Sequence, residues 1–147
     1  MDPQTRAILD GINTAIITFR HTYSEWSRKH HLSYNEMLVL YTIFVDGSCT
    51  QKQICDSYLL PKQTINSVFA SMSKRGLLQV DPALGQGREK AFVFTAAGRR
   101  YAEPLMTALT DAEARAFAAS GAENLKTLMA LLTAHTQSLT QALEEDE

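Results

Sequence analysis

The chain has 147 residues, 45% of them hydrophobic, and a formal net charge of −2. That suits one domain, or one small domain with flanking oligomerisation segments, with enough apolar residues for a core. No apolar run approaches the roughly 18 residues of a membrane span, "MDPQTRAILDG" lacks a signal-peptide pattern, and Cys49 and Cys55 make no secreted disulfide framework, so a cytoplasmic protein is expected.

Asp2-Pro3 places an N-cap before proline at the first helical position. Ile8, Ile12, Ile16, Phe19, Tyr23 and Trp26 follow at steps of three or four, which predicts one long helix ending near His30. Ser33-x-x-Glu36 is a capping box that opens a second helix through Met37, Leu40, Tyr41 and Phe44, stopping at Gly47. Thr50-x-x-Gln53 is read as another, opening a short helix with Ile54 and Tyr58. Pro61 begins a fourth helix and Gly76 ends it as a left-handed cap.

The period then changes. "LLQVDP" and "KAFVFT" are short, β-branched and aromatic, and "ALGQGRE" lies between them, which predicts a β-hairpin with a flexible tip. Thr95 caps a helix carrying Tyr101, Leu105 and Leu109. Ser120-x-x-Glu123 is read as a third capping box, and Leu125, Leu128, Leu132, Leu139 and Leu143 continue on one face with His135 between them. The tail "EEDE" is expected to fray. The fold class is therefore mainly α with a small β-hairpin wing. It is a winged helix-turn-helix over 32–100, flanked by long N- and C-terminal dimerisation helices over 1–31 and 101–147.

The fourth helix poses the functional question. Ile65, Val68, Phe69 and Met72 form its apolar face, while Lys62, Gln63, Asn66, Ser67, Ser71, Lys74 and Arg75 are polar. No acidic residue occurs between Ser57 and Val80. Residues 50–100 hold eight Lys/Arg against three acids, a balance of +5, and the remainder six against thirteen, a balance of −7. A basic region in an acidic frame suits a polyanion, here double-stranded DNA. The second helix of a helix-turn-helix enters the major groove by its front. Gln63 and Asn66 suit adenine, Lys62 guanine, Thr64 a thymine methyl, and Ser67 a phosphate. Arg88 at the hairpin tip suits a narrow minor groove, and Lys90 a phosphate.

The stretches "LSYNEMLVLYTI", "TQKQICDSYLLPKQTINSVFASMSKRGLL" and "GREKAFVFTAAGRRYAEPL" resemble the MarR family of bacterial transcription regulators. The resemblance implies a homodimer reading a pseudopalindromic operator, repression, and release by a small molecule. Two departures stand out. The family's wing usually has Asp-x-Arg where this chain has Gln86-Gly87-Arg88, and often a basic residue at the position of Asp81. In the family, effectors often sit between dimer helices and winged helix. Trp26, His30, Tyr34 and Met37 are the matching aromatic and Met-rich candidates for a small apolar or phenolic ligand.

Other chemistries find little support. Cys49 and Cys55 are spaced wrongly for a redox or zinc pair, and HExxH, Walker and GxSxG motifs are missing, so neither an enzyme nor a metal or cofactor site is expected. Cys55, one turn from Lys52, reads as a structural cysteine before a redox sensor. The rival reading is a winged helix used for protein interaction. Such a face should show aliphatics and aromatics, not Lys, Gln, Asn and Ser.

Overall fold

The computed structural model describes residues 1–145, and the side chain of Gln86 lies outside that description. The end of the expected frayed tail, Asp146 and Glu147, also lies outside the described residues. The chain divides into two compact units, residues 1–106 and 107–147.

The first unit begins with α1, Pro3–Lys29, whose first-turn amides at Gln4 and Thr5 are taken by the Asp2 carboxylate at 3.0 Å. His31, at φ 58, turns the chain out of α1, and the Leu32 amide closes back on the Ser27 carbonyl at 2.9 Å. α2, Tyr34–Asp46, has a complete capping box: the Glu36 amide donates to Ser33 Oγ and the Ser33 amide to Glu36 Oε2. The sequence then forms β1 (Cys49–Thr50), α3 (Gln51–Tyr58) and α4 (Lys62–Lys74). α4 closes with a Schellman motif: Gly76 at φ 72, its amide on Ser73 and that of Leu77 on Met72.

β2 (Leu78–Gln86) and β3 (Glu89–Phe94) form the wing, and the sheet order is β1-β3-β2, antiparallel throughout. The strand β1 is an addition to the expected hairpin, pairing Cys49 with Phe92 and Thr50 with Ala91. The expected flexible tip is also shorter than "ALGQGRE". Gln86 pairs with Glu89, so the turn is Gly87-Arg88 alone, with positive φ at Gly87 as a type II′ turn requires. Regular pairing lapses between Asp81 and Gln86.

The core of this unit collects α2's Met37, Val39, Leu40 and Ile43 with Ile54 of α3 and Ile65, Phe69 and Met72 of α4. Phe69 meets Phe92 of β3 edge-on at 4.7 Å between ring centres, which seats α4 against the sheet. α5, Ala96–Ser120, starts at Thr95, whose hydroxyl accepts from the Gly98 amide at 2.9 Å and donates to the Gly76 carbonyl. A Cβ on Gly98 would fall 1.9 Å from the Leu77 carbonyl oxygen, so only glycine lets α5 approach the end of α4 this closely.

The second unit holds the remainder of α5 and α6, Ala122–Glu144. Here the expected third capping box does not form. Ser120 is the last residue of α5, Gly121 at φ 84 is the N-cap of α6, and Glu123 pairs with Lys126 instead. Among its described residues α6 buries none, and Leu128, Met129, Leu131, Leu139 and Leu143 are more than half exposed.

Candidate nucleic-acid interface

The front of α4 presents Lys62, Gln63, Thr64, Asn66 and Ser67 to solvent, while Ile65 between them is fully buried. Helical spacing alone produces this division, because every third or fourth residue faces the core. Ser67 Oγ donates to the Gln63 carbonyl at 3.0 Å, so its proton is used within the helix and its oxygen remains an acceptor. α4 itself begins without a side-chain cap, since Pro61 occupies the N-cap position. Its first-turn amides therefore stay available to an anion, and the helix dipole favours one there.

The wing closes the other side. A hollow of about 930 Å³ is lined by Lys62 at the head of α4, by Lys52, Cys55 and Asp56 of α3, and by Arg88, Glu89 and Lys90 of the wing. Three of the expected contact residues, Lys62, Arg88 and Lys90, thus share one concave surface. Gln63, Thr64, Asn66 and Ser67 continue from it along α4 and do not line it. Among the described residues Arg88 has no ion-pair partner, Glu89 included.

Two cations counted in the basic stretch are differently employed. Lys52 pairs with Asp56 one turn on, a contact that raises its pKa. Arg75 donates to Glu36 and lies 5.9 Å from the Tyr101 ring centre, joining the end of α4 to the cap of α2 and the start of α5. Arg75 therefore positions α4, and of the four cations lining the hollow Lys62, Arg88 and Lys90 are left to face a ligand.

The cysteines part in the same way. Cys49 of β1 is buried, and burial, with Asp46 nearby, pushes its thiol up to about 12, which leaves it inert. Cys55 is half-buried on the wall of the hollow.

The effector candidates are spread over several surroundings. Trp26 and His30 touch one another, with ring centres 4.3 Å apart and planes tilted by 42°. Met37 is 2% exposed and belongs to the core. Tyr34 lines a shallow cleft of about 320 Å³ with Ile17, Arg20, His21 and Ser24, and Arg20 lies 5.8 Å from its ring centre. Arg20, His21 and Ser24 carried no signal in the sequence, because three polar residues on an exposed helix look like any solvated face.

The fold is a winged helix-turn-helix, with an exposed basic surface at the front of α4 and on the wing. Its structure matches that of NMB1585, a MarR family regulator from Neisseria meningitidis, at 29% identity over 95% of this chain and 98% of that one, with a TM-score of 0.81. Two further matches, to the fold alone, are a Staphylococcus aureus MarR in complex with salicylate and kanamycin and the S. aureus MepR–DNA complex. The first is 15% identical, covers 94% of this chain and 93% of that one, and has a TM-score of 0.65. The second is 14% identical, covers 87% and 94%, and has a TM-score of 0.63. Neither a family sequence model nor a curated protein sequence matches the chain. The chain is thus similar over nearly its whole length to a MarR family regulator and shares the winged helix fold of these proteins. Among the described residues no helix is long and apolar enough to cross a membrane.

Proposed function

We propose that the protein is a homodimeric transcriptional repressor that reads a pseudopalindromic operator and is released by a small aromatic acid. The observation that carries this is the exposed, acid-free front of α4 set beside a wing whose Arg88 and Lys90 share its hollow. Lys62, Gln63, Thr64, Asn66 and Ser67 supply the major-groove and nearby phosphate contacts, and Arg88 the wing contact, with Lys90 in support. Residues 32–100 carry DNA binding. Residues 1–31 and 101–147 carry the dimer, because Ile8, Ile17 and Phe19 of α1 and the leucines of α6 are exposed and a second copy would cover them. A two-fold dimer doubles the base contacts and sets the spacing of two half-sites.

The S. aureus MarR complex holds salicylate, an aromatic carboxylate. In this chain the Tyr34 cleft offers a ring beside Arg20 and His21, a suitable pairing for that class of ligand. Trp26, His30 and Met37 do not line that cleft. Selection of bound duplexes from random DNA at about 150 mM salt tests the whole reading. An inverted repeat with half-sites about one helical turn apart is expected. Weak, salt-sensitive binding without enrichment would hand the lead to a protein-interaction role.

A further inference from the structure

Leu59 ends α3 at φ 50, in the left-handed region. Among the described residues that region otherwise holds Gly47, Gly76, Gly87, Gly121 and His31. Glycine has no Cβ to clash there, and histidine visits it more readily than most residues. Leucine has neither advantage, and a helix stop of this kind is ordinarily given to Gly or Asn. Packing does not explain it either. Leu59 is 90% exposed, more than any other large hydrophobic residue described. The fold thus holds an aliphatic side chain in an unfavourable backbone conformation and buries almost none of it.

Its position supplies the reason. Leu59 stands three residues before Lys62, on the wall of the hollow that also holds Arg88 and Lys90. Strained residues held outward beside a binding surface are characteristic of functional sites. A protein partner would want a broader exposed apolar patch, but Cys55, Leu60 and Phe92 on this wall are only half-exposed and the rest of it is Gln51 and six charged residues. Duplex DNA offers what the surroundings suit: phosphates for the cations and, between them, apolar edges. We propose that Leu59 is an apolar DNA-contact residue, packing on a thymine methyl or on deoxyribose carbons as the front of α4 enters the groove. The inference rests on the DNA-binding reading above and adds a residue to it.

The test uses Leu59→Asn and Leu59→Gly in the full chain, because both replacements suit a left-handed residue. Their thermal midpoints should equal or exceed that of the wild type, while affinity for the selected duplex falls about tenfold. Uracil is then substituted for each thymine of that duplex in turn. A thymine contact gives wild-type binding that weakens at one symmetry-related pair of positions and a Leu59→Asn variant that does not weaken further. A sugar contact gives no uracil effect and a Leu59→Asn loss equal on all duplexes. Unchanged affinity in both variants overturns the proposal, as does a lowered midpoint in both, which would assign the conformation to folding. A wild type that selects no duplex overturns the DNA-binding reading itself, before any variant is made.

Discussion

α4 and α6 are both amphipathic helices, and they end in opposite conditions. α4 buries Ile65, Phe69 and Met72 within its own unit and leaves its polar front free. α6 buries nothing among its described residues and leaves leucines at 37–66% exposure. An apolar face that its own chain satisfies points to a foreign ligand on the other side. An apolar face that its own chain leaves open points to a second copy. The same periodicity therefore carries two messages, and burial decides between them.

The contrast can be broken at several points. Phe69→Ala removes a side chain that is 1% exposed and packed on Phe92, and should destabilise by about 3–5 kcal/mol in denaturant unfolding. Leu128→Glu with Leu132→Glu on α6 should leave helicity intact but yield a monomer in sedimentation, with operator affinity down about a hundredfold or more, because two linked half-sites become one. A dimer that persists in this variant would take α6 out of the interface. Lys90→Ala should weaken binding to all duplexes alike and flatten the salt slope by about one unit, the signature of one neutralised phosphate.

The smallest effect expected is at Glu36. Partial burial raises its pKa, but the Ser33 amide and hydroxyl and the Arg75 guanidinium outweigh that and hold it below the ordinary value. A carboxyl with a lowered folded pKa contributes stability that is complete above its unfolded pKa and is lost as pH falls through the folded one. The stability difference between wild type and Glu36→Gln should therefore shrink on acidification through the carboxylate range. A difference that stays constant with pH would mean that neither the Ser33 contacts nor Arg75 favours the ionised carboxylate in the folded state.

Much of this could be read from residue patterns, and the places where reading failed have local causes. Ser33 and Glu36 form their box although Arg75 also binds Glu36, because the Ser33 amide uses Oε2 and the guanidinium uses Oε1. In the second box Thr50 accepts from the Gln53 amide, but the Gln53 side chain turns to Asp46 at 3.3 Å, so only half forms. A four-residue pattern carries no information about a partner seven residues away. At Ser120 the break comes one residue later, at Gly121, where positive φ is free of penalty. β1 is two residues long and exists only through its pairing with β3, which no local propensity encodes. The site shows the same limit. Helical spacing gave the front of α4 directly. The withdrawal of Arg75 toward Glu36 and of Lys52 toward Asp56, and the left-handed Leu59, depend on how the chain closes on itself.

If the front of α4 reads bases, Gln63 is the residue that shows it most directly. Selection from random DNA should be run in parallel on the wild type and Gln63→Ala. Both proteins should enrich the same inverted repeat, with the preference of the variant relaxed at one symmetry-related position in each half-site. An identical motif from both, with only a uniform loss of affinity, would contradict base reading by α4 and place the recognition elsewhere.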